Sequence, residues 1–120
     1  MKSAQFSVHS KLCGDAAIIY PVGYLNNLSG ESLVKECGLY ISKGITKVVV
    51  NFSETDLVNS IGISLLLQII EDLRNIKGTI CCTNMSKFLS ETFKMLGLLQ
   101  HMHVFQGEKD ALKYLTAGGE

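Results

Sequence analysis

Lys47-Val48-Val49-Val50-Asn51-Phe52 places three valines in unbroken succession, and this run restricts the possible folds most. Side chains alternate between the two faces of a strand, so consecutive β-branched residues demand apolar cover on both sides. Such a strand belongs at the centre of a sheet with parallel pairing, layered by helices. The flanking segments supply those helices. Leu33, Val34, Cys37 and Ile41 recur at helical spacing and predict an amphipathic helix over Ser29–Ser42, with Ser29 as N-cap and Gly44 as its stop. Ile63, Leu66, Leu67, Ile70 and Leu73 predict a second helix from Ser60 to Ile76, closed near Gly78.

Phe88, Leu89, Phe93 and Leu96 mark one face of a third helix, with Ser86 as cap and Gly97 as stop, and Glu108 to Leu115 forms a last one with Ala111, Leu112 and Leu115 inward. Between them, Thr79–Thr83 and His103–Phe105 read as short strands. At the start of the chain, Ala4–Ser10 alternates apolar and polar around Phe6 and Val8 as an edge strand does. Cys13-Gly14-Asp15 supplies a turn. Ala16–Tyr20 is then a second strand, extending past Pro21 towards Tyr24, with the proline at a bulge or an edge. Strands followed by alternating β and α elements define an α/β domain, a mixed β-sheet with helices packed on it.

A chain of 120 residues with 47% hydrophobic composition builds one core, so residues 1–120 are expected to form a single domain with 116–120 as a frayed tail. Lys+Arg and Asp+Glu both number 11, and this balance argues against nucleic acid as a partner. Ile61–Ile70, the most apolar stretch, is interrupted by polar residues and falls far short of a membrane span. Cys13, Cys37, Cys81 and Cys82 have no metal-ligand spacing; Cys81 and Cys82, as strand neighbours, point to opposite faces. All four read as small buried hydrophobes, reduced as in a cytoplasmic protein.

Enzyme signatures are missing: no phosphate loop, nucleophile elbow or dinucleotide fingerprint occurs. His101 and His103 would share a face on a strand but lack a third ligand, so neither a metal nor another cofactor is expected. His9 reads as an exposed edge residue. The segment Asn59-Ser60-Ile61-Gly62-Ile63 stands out instead. Ser60 reads as the N-cap of the second helix, where a phosphate would be stabilised by helix N–H groups and the helix dipole. Gly62, in the first helical turn, signals a close backbone approach or room for a bulky neighbour. Ile61 beside it is expected to face outward, giving a small contact surface with a modifiable centre.

In order and spacing these pieces resemble the STAS domain of bacterial anti-sigma factor antagonists, nearly gap-free from Ala16 to Leu115. Gly23-Tyr24-Leu25-Asn26 is similar to the Gly-x-Leu-Asp that ends the family's second strand. Val48-Val49-Val50-Asn51-Phe52 followed by Asn59-Ser60-Ile61-Gly62-Ile63 resembles its central strand and Asp-Ser-Ser/Thr-Gly-Leu signature. Met95-Leu96-Gly97-Leu98 and Asp110-Ala111-Leu112 resemble the last two helices. The resemblance implies a non-enzymatic cytoplasmic protein whose unmodified form binds an anti-sigma factor with serine kinase activity and frees a sigma factor. It also implies phosphorylation at Ser60, which releases that partner, and a phosphoserine phosphatase that resets the switch. Asn26, Asn59, Ser60, Ile61, Gly62 and Ile63 are then the partner-binding residues.

Asn59 and Asn26 stand where the family usually has aspartate, and Ile61 replaces its second hydroxyl residue. Ser60 is left as the signature's sole hydroxyl. If the family's carboxylates help a kinase position nucleotide or metal, the asparagines imply slow phosphorylation or a divergent kinase. Two other readings follow from the same residues: a STAS-like subunit of a transporter or sensory complex without the switch, and a small nucleotide-binding domain. The missing phosphate loop argues against the last.

Overall fold

The computed structural model describes residues 7–117. Its five-stranded sheet has the order β1-β2-β4-β6-β7, built from β1 (Val8–Cys13), β2 (Ala16–Pro21), β4 (Lys47–Asn51), β6 (Thr79–Thr83) and β7 (His103–Phe105). Only β1 and β2 pair antiparallel; β4 lies at the centre, parallel to β2 and to β6. The valine run is divided as its pattern demands. Val48 and Val50 face one core cluster and Val49 the other, all fully buried. Cys82 and Cys81 divide in the same way.

The helices are α1 (Asn27–Ser42), α2 (Ser60–Asn75), α3 (Lys87–Met95) and α4 (Glu108–Thr116). The crossovers β2→β4, β4→β6 and β6→β7 all advance across the sheet in one direction. Right-handed crossovers of that kind put their helices on one face. Accordingly Leu33 and Cys37 of α1, Leu66, Ile69 and Leu73 of α2, and Leu89 and Phe93 of α3 join one cluster. The chain then turns back, and α4 covers the other face with Ala111 and Leu115. Leu112 is half-buried at the edge of that second cluster.

Several sequence expectations shift. The first strand is Val8–Cys13, not Ala4–Ser10, so the turn narrows to Gly14-Asp15, with Gly14 at φ +63°; Phe6 lies outside the described residues. The second strand ends at Pro21 rather than running to Tyr24, because Gly23 at φ +85° redirects the chain. Gly23–Leu25 then forms its own strand, β3, paired in parallel with β5 (Thr55–Val58).

Leu67 is exposed and Ile69 takes its place inside. In α3, Phe88 and Leu96 are exposed, while Leu89 and Phe93 alone are buried. Leu96 is the residue that ends α3, and Gly97 at φ +76° swings the chain so that Leu98 fills the core instead. Cys13 is exposed at the hairpin rather than buried. Thr116 closes α4 within regular helix, and residues 118–120 of the expected tail lie outside the described residues.

Candidate functional site

β3 and β5 run side by side, and each feeds a helix through a single asparagine. Asn26 follows Leu25 and caps α1; Asn59 follows Val58 and caps α2. The expected caps are therefore displaced: Ser29 and Ser60 are not N-caps. The Asn26 Oδ1 accepts from the amides of Leu28 (3.0 Å) and Ser29 (3.1 Å). Ser29 answers reciprocally, its Oγ accepting from the Asn26 amide at 2.9 Å and donating to the Tyr24 carbonyl at 2.6 Å. This mutual satisfaction of two donors at a helix start is a capping box, and it is buried. Asn59 makes the simpler cap, its Oδ1 accepting from the Gly62 amide at 2.8 Å.

Ser60 thus begins the helix proper, one residue inside the cap, and is exposed. Its carbonyl accepts a hydrogen bond from Ser64 Oγ at 3.1 Å. Gly62 is buried because α2 starts directly over β3, with the Asn59 amide donating to the Leu25 carbonyl at 3.0 Å. Gly30 allows the matching approach on α1: a Cβ there would lie 2.6 Å from Leu65 Cδ1 of α2. The two glycines let the helix starts pack together, so Asn26 and Asn59 sit at adjacent helix N-termini, where uncapped N–H groups favour negative charge. Ile63 is half-buried and packs on the core.

Apolar surface surrounds this end of the molecule. Ile61 is 51% exposed, as expected from the sequence, and three further residues were not foreseen: Tyr24, Leu28 and Leu57 at 39%, 49% and 52%. Tyr24 and Leu57 are register partners on the short ladder, while Leu28 and Ile61 occupy the first turns of the two helices. All four lie within one helical turn of the paired strands. The signal that could have found them is the repeated order of apolar residue, asparagine and helix at Leu25-Asn26 and Val58-Asn59. It marks two equivalent strand-to-helix junctions, whose outward residues share one surface.

The histidines are not brought to this site. His103 lies on β7, but His101 follows the 3-10 turn Leu98–Gln100, so they do not share a strand face. Among the described residues no group of three or more His, Cys, Asp or Glu side chains is placed to hold a metal ion. His9 is exposed on β1, stacked on Tyr20 at 4.6 Å between ring centroids. Among the described residues no helix is long and apolar enough to cross a membrane.

Residues 10–111 match the family described as the STAS domain. BtrV of Bordetella bronchiseptica, a protein named as an anti-sigma factor antagonist, is 26% identical over 77 residues, covering 64% of this chain. The matched stretch spans just under two thirds, 66%, of that relative's length. The anti-sigma factor antagonist SpoIIAA, solved in its unphosphorylated form, superposes with a TM-score of 0.73 at 17% identity, over 93% of this chain and 99% of that one. TM1081 of Thermotoga maritima, a protein named as an anti-sigma factor antagonist, reaches a TM-score of 0.81 at 15% identity over 88% of this chain and 91% of its own.

Proposed function

The chain belongs to the STAS-domain family, and from that premise we propose that it is a phosphorylation-switched anti-sigma factor antagonist. In this reading it is a non-enzymatic cytoplasmic protein that binds an anti-sigma factor with serine kinase activity through the surface around Asn26, Asn59, Ser60, Ile61, Gly62 and Ile63. Phosphorylation at Ser60 releases the partner, and a phosphoserine phosphatase restores binding. The observation that carries the reading is an exposed serine in the first turn of α2, set beside exposed Ile61, Tyr24, Leu28 and Leu57.

The physical case rests on what a phosphate does there. It brings about two negative charges to the middle of an apolar contact surface. Burying those charges against apolar groups opposes docking by several kcal/mol, which is enough to empty a micromolar complex. Locally, the first turn of α2 tolerates the modification, because helix N-termini favour phosphate. The modification therefore acts on the interface rather than on the fold.

The test uses unmodified protein, Ser60→Ala and Ser60→Asp as baits in native cell extract, with captured proteins read by mass spectrometry. Recovery of a kinase-like anti-sigma factor by the first two, with the aspartate variant weakened, is the expected outcome. Aspartate carries less charge and fewer oxygens than phosphoserine, so a partial loss is sufficient. Equal recovery of permease or sensor components by all three baits would instead overturn the switch and leave a constitutive interaction domain.

A further inference from the structure

A cavity of about 250 Å³ opens at the far end of α2 from Ser60, between that helix and the first residues of β6 and β7. Among the described residues its polar side chains are Arg74, Lys77, His101, His103 and Thr79, with no carboxylate in the lining. In a chain whose positive and negative groups balance at 11 each, this is a local separation of charge. Arg74 Nη2 meets His101 Nδ1 at 2.9 Å, with Glu71 more distant at 3.7 Å. A guanidinium cannot accept, so it donates to an unprotonated Nδ1, leaving the other ring nitrogen of His101 as a donor. The guanidinium, the ammonium and this imidazole thus offer only donors.

Lys77 adds an independent sign. It holds φ +60°, a left-handed conformation that follows helix ends and strongly favours glycine or asparagine. Gly78 cannot take over that position by exchange, since a Cβ at residue 78 would lie 2.7 Å from the Thr46 carbonyl oxygen. That packing explains why the left-handed turn falls on residue 77. It does not call for a lysine there. Two carbonyls of the last turn of α2 are hydrogen-bonded within the turn that follows it: Leu73 O accepts from Gly78 N at 2.7 Å and Arg74 O from Lys77 N at 3.0 Å.

We propose that this cavity binds a small phosphate-class oxyanion, held by the Arg74 guanidinium, the Lys77 ammonium and the imidazole of His101, with His103, whose Nε2 is bonded to the Tyr114 hydroxyl at 3.2 Å, at its edge. Arginine suits the role because its planar fork matches two oxygens at once. The volume lies below the roughly 300–1,000 Å³ of pockets that enclose drug-sized ligands, so the occupant is a phosphate ion or the phosphate end of a small ester. Its place at the opposite end of α2 makes it independent of the partner surface around Ser60.

Isotope-labelled protein is titrated with inorganic phosphate and, separately, with glycerol phosphate at constant ionic strength, and amide shifts are followed. The expected result is saturable shifts at Lys77, Gly78, Thr79 and His103, with the amides around Ser60 unmoved. An Arg74→Gln, Lys77→Asn double variant should bind at least about tenfold more weakly, equivalent to about 1.4 kcal/mol. Asparagine at 77 retains the left-handed turn, and a native-like spectrum elsewhere confirms the fold. Tighter binding of the ion or of the ester identifies the source of the phosphate. Shifts that stay linear in concentration for both probes, or that persist unchanged in the double variant, overturn the site.

Discussion

Gly62 brings its bare α-carbon against the carbonyl of Leu25: a Cβ at this position would overlap the carbonyl oxygen and lie 2.8 Å from its carbon. The obstacle is backbone, and it is fixed by its hydrogen bond from the Asn59 amide. Gly62→Ala is therefore expected to destabilise the protein by about 1–3 kcal/mol, despite the higher helix propensity of alanine. Gly38, in the exposed part of α1, has open space where a Cβ would stand, with no neighbouring atom within 4 Å. Gly38→Ala should stabilise by about 0.5–1 kcal/mol. Urea denaturation of the two variants reads both signs, and equal effects would mean that the Leu25 contact does not constrain α2.

The same contact explains what could be read in advance. The valine run gives the central strand because its message is contained in six consecutive residues. Helical spacing likewise finds α2 and the buried Leu66. It does not fix how the helix is rotated about its axis. Gly62 against Leu25 sets that rotation, so the buried stripe runs through Gly62, Leu66, Ile69 and Leu73, while Leu67 turns outward.

The caps were ambiguous for a related reason. Asparagine and serine cap comparably, so local sequence allows Asn59 or Ser60. The hydrogen bond from Asn59 to Leu25, on a strand far back in the chain, keeps Asn59 extended and decides between them. The β3–β5 pairing is non-local in the same sense, and with it the surface that joins Tyr24 to Leu57.

The two asparagine caps should differ in cost. Asn59→Ala removes one acceptor at a partly exposed helix start, for about 1 kcal/mol. Asn26→Ala leaves the amides of both Leu28 and Ser29 without their acceptor at a buried helix start, so it should cost about 2 kcal/mol or more. Asn59→Asp keeps the oxygen that faces the Gly62 amide and adds negative charge at a helix N-terminus. It should raise stability by about 0.3–1 kcal/mol at neutral pH, most clearly at low salt. Thermal melts at two salt concentrations would show this; a fall in stability would mean that desolvating the carboxylate at this half-buried cap outweighs its attraction to the helix N-terminus.

The thiols predict a pH dependence of defined sign. Burial pushes Cys81, and Cys37 with help from nearby Glu36 and Asp72, up from an ordinary value near 9 to about 12, and it raises Cys82 as well. Below pH 9 these thiols are protonated in both folded and unfolded chains and stability is unaffected by them. Between about 9 and 12 only the unfolded chain ionises, so stability should fall as pH rises, by at most about 1.4 kcal/mol per pH unit for each thiol. Exposed Cys13 should react with a thiol reagent in the native state while the other three wait for unfolding. Rapid native reaction of more than one thiol would show that the strand and helix cysteines are not sealed in the core.

Glu108 ties α4 to the sheet. Its Oε2 accepts from Tyr20 OH at 2.5 Å and from Asn51 Nδ2 at 2.6 Å, and Asn51 is buried at the end of the central strand. Glu108 also opens α4 where Gly107 supplies no side-chain cap, so its charge complements the helix N-terminus. Glu108→Ala leaves a buried amide donor without its acceptor and should cost about 2–3 kcal/mol. Tyr20 provides a local readout of the same change. Burial is the first cause of its raised pKa, followed by the hydrogen bond and charge of Glu108. In the alanine variant the ultraviolet titration of Tyr20 should therefore move down in pH but stop above the ordinary tyrosine value, because the burial remains. A full return to that value would mean that α4 has detached and exposed the ring, whereas no movement would mean that Glu108 does not hold Tyr20 in solution.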